Sequence, residues 1–227
     1  MKRGLKGFLR SREKAPQDRI SNLKLSRLFG ASPETSEEPI AEPDGGGVKS
    51  PVVVGLGNPG RSYERTRHNV GFLVADELAK RHGGSWRSKK KAEAVPVGFG
   101  LKNVVLLKPT TYMNNSGAAL AGHKVEDLIV VHDDLDLLPG DVRVKVGGGA
   151  GGHNGLRSLV QHLGNDFVRV RIGIGRPPDG AGVTVTDYVL GRMDSAVKEA
   201  VPVAADAVEA VVESGPEATM NRFNVRS

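Results

Sequence analysis

From Pro51 onward the chain alternates short apolar runs with longer stretches of helical periodicity, and this alternation constrains the fold more than any other feature. Strand-like runs occupy 52–56, 93–97, 103–107, 128–132, 142–146 and 168–174, rich in valine, leucine and isoleucine. Helix-like runs cover 67–82, 115–122, 153–163, 194–214 and a short piece near 216–222. Strands interleaved with helices bury both faces of a sheet under helices. The expectation is an α/β fold: a single-domain three-layer sandwich around a twisted mixed β-sheet, spanning 51–227. There is no internal repeat.

Residues 1–50 read differently. The first thirty hold nine Lys or Arg against Glu13 and Asp18; residues 31–50 then hold five acids against Lys49. The stretch ends in "EPDGGGVKS", the composition of a flexible linker. Within it, Ile20, Leu23, Leu25, Leu28 and Phe29 fall at loosely helical spacing with basic residues between them. A basic then acidic, disordered N-terminal extension is expected. A transit peptide or an RNA-touching arm are the sharper readings.

The first strand-like run opens into a glycine turn, "VVVGLGNPG" at 52–60, whose glycines match the dinucleotide fingerprint G-x-G-x-x-G. Its context does not match. A dinucleotide turn needs a helix to begin at the glycines. Here Pro59 holds Asn58 extended and favours a turn at Pro59-Gly60, and helical periodicity starts only near Val70. The acids that would hold a ribose, Asp76 and Glu77, fall inside the helix-like run rather than at the end of a second strand. What the turn does offer is the Asn58 side chain at the carboxyl end of a strand, where ligands of open α/β sheets gather.

Cysteine is absent, which excludes disulfides, thiolate zinc sites and a cysteine nucleophile. No apolar stretch approaches the roughly 18 residues of a membrane helix. Net charge is +6 and the pI about 9.6, a balance that favours a polyanionic partner.

Chemistry-bearing residues cluster just beyond successive strands. After the first come Tyr63, His68 and Asn69 in "RSYERTRHN". "KPTTYMNNSG" carries Tyr112, Asn114 and Asn115 at an expected helix start, where amides cap a helix or hold a substrate carbonyl. "IVVHDDLDLLPGD" ends a strand at His132, followed by Asp133, Asp134 and Asp136. Those four side chains suit a divalent cation, or one of the carboxylates orients a catalytic histidine. "VGGGAGGHNGLRSL" places six glycines in 147–155, a stretch that lets a ligand approach the backbone but lacks the Lys-Ser/Thr of a P-loop. With no cysteine and no G-x-S-x-G elbow, a histidine-activated water is the economical route to hydrolysis.

Together the segments "GLGNPGRSYERTRHNVGF", "KPTTYMNNSG", "HDDLDLLPG", "GGGAGGHNGLRSL" and "RVRIGIGRP" resemble bacterial-type peptidyl-tRNA hydrolase, from about Val52 to about Arg222. The resemblance implies hydrolysis of the ester between a peptide and the ribose of a tRNA 3′ end, recycling tRNA from aborted translation. It implies a cytoplasmic monomer without metal or cofactor, with peptidyl-tRNA as partner. By likeness, His68 is the general base and Asp133 holds it in the productive tautomer. Asn58 and Asn114 grip the peptide and the reacting carbonyl. Tyr63 and Tyr112 line the cleft, the latter where the family often has phenylalanine, and Asn154 closes it. Arg143, Lys145 and Arg171 resemble phosphate-contacting positions. Strand alternation places Arg143 with Lys145, and Arg169 with Arg171, on shared faces. The alternative is a non-catalytic RNA-binding scaffold of the same fold, with organelle targeting by the extension.

Overall fold

The computed structural model describes residues 50–124 and 128–225; the extension up to residue 49, with the helical spacing at 18–29, lies outside the described residues. Seven strands form one sheet in the order β2-β3-β4-β1-β5-β7-β6. They are β1 (Val52–Gly55), β2 (Arg87–Ser88), β3 (Ala92–Phe99), β4 (Lys102–Pro109), β5 (Leu128–Asp134), β6 (Val142–Val146) and β7 (Val168–Gly173). β1 runs parallel to β4 and β5, and β5 parallel to β7, whereas β2–β3, β3–β4 and β6–β7 are antiparallel. The sheet is mixed, as expected.

The helices are α1 (Val70–Arg81), α2 (Asn154–Leu163), α3 (Val185–Val189), α4 (Ser195–Ser214) and α5 (Pro216–Phe223). Alternation along each strand feeds two cores. Val53, Leu106, Ile129, Val131, Val170 and Ile172 pack with Val74 and Leu78 of α1 and with Ala204 and Val208 of α4. Val52, Val54, Leu107, Val130 and Phe167 pack with Met113 and with Leu156 and Leu159 of α2. The two cores lie on opposite faces of the sheet, between it and the helices, so the sheet is the middle layer of a three-layer sandwich.

Boundaries differ from the expectation in informative places. The helix expected at 67–82 begins with a 3-10 turn, Arg67–Asn69, before α1. The one expected at 115–122 is a 3-10 helix, Met113–Ala119, broken at Asn115. Tyr112 is its first flanking residue and no side chain caps it, so neither Asn114 nor Asn115 is a capping residue. The two-residue β2 and the five-residue α3 are too short to leave a periodic signal.

The fingerprint glycines serve packing. A Cβ on Gly55 would lie 2.3 Å from the Gly71 carbonyl oxygen, and one on Gly71 would lie 2.5 Å from that of Val131. A Cβ on Gly57 would stand 2.6 Å from the Phe72 ring. Glycine lets α1 lie directly on β1 and β5. That contact delivers the 3-10 turn carrying His68 to the carboxyl ends of both strands. β1 is also the switch point of the sheet: the chain proceeds from it to one side, through β4, and later to the other, through β5. Ligand sites of open α/β sheets form at such a point.

Candidate active site

A cavity of about 430 Å³ opens there, lined by Asn58, Tyr63, His68, Tyr112, Met113, Asn114, His132, Asp133, His153, Asn154, Lys145, Arg169 and Arg171 among others. Its chemistry centres on Asp133, only 3% exposed at the end of β5. The carboxylate accepts hydrogen bonds from His68 Nδ1, at 2.9 and 3.0 Å to its two oxygens, and from His153 Nε2 at 3.0 Å. Burial alone would raise the Asp133 pKa. The paired imidazoles, His68 first and then His153, override burial and hold this carboxyl well below the usual carboxylate range.

The tautomers follow from the bonding. His153 caps α2: its Nδ1 accepts from the N–H groups of Gly155 and Leu156 at 3.1 and 3.3 Å, so the ring proton sits on Nε2 and points to Asp133. An ionised Asp133 accepts only, so His68 must carry its proton on Nδ1. In the neutral ring Nε2 is then the acceptor nitrogen, the atom a general base uses. The His68 and His153 rings lie 4.7 Å apart between centroids.

Asn58 is held from both ends. Its N–H donates to Asn69 Oδ1 at 2.9 Å, and Asn69 Nδ2 donates back to the Asn58 carbonyl at 2.9 Å. The Asn58 side-chain oxygen accepts the Met113 N–H at 2.8 Å. The amide NH2 is therefore the free end, on the cavity wall. Asn114, exposed, stands on the same wall. Tyr63 and Tyr112 meet edge to face, 6.3 Å between centroids, with Tyr112 61% exposed at the mouth. Asn154 opens α2 and accepts from Arg157 Nη1 at 3.1 Å.

The basic residues separate. β6 and β7 pair Arg143 with Arg171 and Lys145 with Arg169, so all four share one sheet face. Lys145, Arg169 and Arg171 line the cavity; Arg143 does not. The Arg143 guanidinium donates instead to the Phe223 carbonyl at 2.9 Å and pairs with Asp141 at 3.3 Å. Arg171 contacts Asp134 at 2.8 Å. Burial would raise the Asp134 pKa, but the Arg171 hydrogen bond overrides that and lowers it.

The four-residue cation set considered from the sequence is dispersed. His132 Nδ1 donates to the Asp133 backbone carbonyl at 2.7 Å, Asp134 turns to Arg171, and Asp136 to Arg176. Burial first, then His153, pushes the His132 pKa down to about 3, so this ring is neutral. Among the described residues the side chains close enough to share a cation are His68, Asp133 and His153, whose ligand atoms lie within 4.8 Å of one another. His68 Nδ1, the Asp133 carboxylate and His153 Nε2 are engaged with one another in hydrogen bonds.

Sequence reasoning assigned no role to His153, Met113, Asn69 or Arg169. The helical spacing runs from 153 itself and histidine is not a preferred capping residue, so the cap at His153 is visible only in the structure. Nothing in the sequence shows that the other end of the ring meets Asp133.

Residues 52–227 match the family model described as peptidyl-tRNA hydrolase. The peptidyl-tRNA hydrolase of Rubrobacter xylanophilus is 67% identical over 174 residues, covering 77% of this chain and 100% of that one. That of Anaeromyxobacter dehalogenans is 49% identical over 188 residues, covering 78% and 97%. The crystal structure of the Acinetobacter baumannii peptidyl-tRNA hydrolase superposes with a TM-score of 0.70 at 37% identity, over 78% of this chain and 96% of that one. A site of this construction at the switch point of such a sheet, with likeness running the full length of the relatives, leaves one assignment: the chain belongs to the bacterial-type peptidyl-tRNA hydrolase family.

Proposed function

We propose that the protein hydrolyses the ester between the peptide and the 3′-terminal ribose of peptidyl-tRNA, with His68 as the general base. The observation that carries this reading is the His68 Nδ1–Asp133 pair, 2.9 Å, buried at the cavity floor. It orients a basic Nε2 on the wall that also presents the free Asn58 amide.

His68 Nε2 takes a proton from water as the oxygen attacks the ester carbonyl. Asp133 stabilises the imidazolium that forms. The carbonyl oxygen gains charge and accepts from the Asn58 NH2, with Asn114 as second donor. An oxyanion donor of this kind contributes on the order of 10²–10³-fold in rate. The tetrahedral intermediate collapses, the C–O bond to the ribose breaks, and His68 returns its proton to the departing sugar oxygen. The products are a peptide carboxylic acid and a tRNA free to be recharged.

Lys145 and Arg171 attract the tRNA backbone, and Tyr63 and Tyr112 provide faces for its terminal bases. In this reading the enzyme works as a monomer in the cytoplasm. A non-catalytic scaffold would have no use for a base, its orienting carboxylate and an oxyanion donor together.

The test is release of peptide from an N-blocked aminoacyl-tRNA, with free aminoacyl-tRNA alongside, by wild type and His68→Ala. Cleavage of the blocked substrate, lost in the variant, supports the reading. Near-normal turnover by His68→Ala removes His68 as the base, and no cleavage despite tight tRNA binding points to the scaffold.

A further inference from the structure

Arg169 is anomalous. It lies on β7 at 2% exposure, where long cations are seldom buried without a carboxylate partner. Its Nη1 donates to the Gly149 carbonyl at 2.6 Å and its Nη2 to the Gly148 carbonyl. Among the described residues its Nε has no partner. The flat face stacks on Phe167, 4.6 Å from the ring centre. Burial first, then the Arg171 charge, lowers its pKa, against a smaller opposing pull from Asp134.

The carbonyls it grips belong to the glycine-rich segment that leads into His153. Gly147, Gly148, Gly151 and Gly152 all have positive φ, from 55° to 95°, which suits glycine and few other residues. Such a segment loses much conformational entropy on ordering. Its N–H at Gly147 is tied to the Phe167 carbonyl at 3.0 Å, and a turn from Ala150 to His153 closes at 2.9 Å. Between those points, the tertiary hydrogen bonds described come from Arg169 alone.

We propose that Arg169 is a positioning residue: by clamping the Gly148 and Gly149 carbonyls it fixes the path that brings His153 to Asp133 and Asn154 to the cavity. It rests on the reading of His68 and Asp133 above, since His153 acts on the reaction only through the carboxylate it shares with His68. Arg169 thus differs from its neighbours Lys145 and Arg171: its donors face the backbone of its own protein.

The experiment uses the full chain with Arg169→Lys and Arg169→Met, each alone and combined with His153→Ala. Two substrates are compared, an N-blocked aminoacyl-tRNA and the same acyl group on a short 3′-terminal fragment. The amide resonances of Gly148–Gly152 are followed by NMR in each protein. We expect kcat to fall by about 100-fold in Arg169→Met, as for a small misplacement of a catalytic array, and by less in Arg169→Lys. The loss should be equal on both substrates, should leave the salt dependence of KM unchanged, and should shrink in the His153→Ala background to the part that acts through Asn154. The glycine amides should show exchange broadening in both variants. A KM increase confined to tRNA, with the salt slope reduced by about one, would make Arg169 a phosphate contact and overturn the clamp. So would losses fully additive with His153→Ala. The NMR readout does not depend on the chemistry: unchanged glycine amides in Arg169→Lys, which keeps the charge and the best chance of folding, reject the clamp even if His68 proves not to be the base.

Discussion

Asn58 and Asn69 hold each other by two reciprocal hydrogen bonds of 2.9 Å, backbone N–H to side-chain oxygen and side-chain NH2 to backbone carbonyl. Both residues are buried, at 7% and 2% exposure. The pair joins the turn after β1 to the turn before α1, so it sets the distance between the Asn58 amide and His68. It works as a brace between the oxyanion donor and the base.

Asn69→Ala removes this brace while leaving every group proposed to touch substrate in place. Two buried backbone groups lose their partners, at a cost of about 1–3 kcal/mol each. We expect lower stability in urea unfolding, and a kcat reduced by on the order of 10²-fold with KM little changed. A variant with wild-type kcat would show that the base and the oxyanion donor are positioned independently.

Asp133→Asn keeps the shape of the carboxylate and changes its hydrogen bonding. An amide oxygen in place of Oδ1 can still accept from both rings, but the NH2 then stands where Oδ2 was, 3.0 Å from the His68 Nδ1–H, donor against donor. The alternative orientation sets the NH2 against both rings, and the stabilising charge is gone in either case. By analogy with other oriented histidines, kcat should drop about 10³–10⁴-fold. Single-turnover rates on a blocked aminoacyl-tRNA check this, and a loss below tenfold would remove Asp133 from the mechanism.

His132 gives the fold a pH dependence. Folded, its pKa is pushed down to about 3 by burial; unfolded, it returns to about 6.5. Between those values the unfolded chain binds the extra proton, so stability is full above pH 6.5 and falls as pH drops toward 3. The slope from this one group is about 1 kcal/mol per pH unit. Urea midpoints from pH 7 to pH 4 should therefore fall less steeply in His132→Asn than in wild type. Asp133 acts in the same direction at lower pH: its depressed pKa supplies stability above the usual carboxylate range, lost on further acidification.

Arg171 and Arg143 face each other across β6 and β7 but should behave differently. Arg171→Ala should raise KM for full-length peptidyl-tRNA, reduce the salt slope by about one, and spare a short ester fragment. Arg143→Ala should act first on stability, because its guanidinium ties β6 to the Phe223 carbonyl at the end of α5. Parallel KM measurements at several salt concentrations distinguish the two, and an equal salt effect at both positions would place Arg143 on the tRNA path.

The order of strands and helices was legible from the chain alone because apolar periodicity is a local property. β6 stands at Val142–Val146, as read, while β3, β4 and β5 only lengthen at their ends. The failure of the glycine fingerprint as a nucleotide turn was legible too, from Pro59 and the late onset of helix. The presence of His68, Asp133 and Asn58 was legible through the motifs that carry the family likeness.

Tertiary structure decided how those residues are used. That Asp133 serves two histidines, that Asn58 has its NH2 free, and that Arg169 faces backbone while Arg143 turns away are facts of distance and hydrogen-bond partner. They depend on residues 20 to 80 positions apart meeting around a mixed sheet, as His68 meets Asp133 at a separation of 65 and Arg143 meets Phe223 at 80. Periodicity reports which face of an element is apolar. It holds no information on which proton a ring carries or which carbonyl a guanidinium finds, because those are set only when the strand ends converge at the switch point.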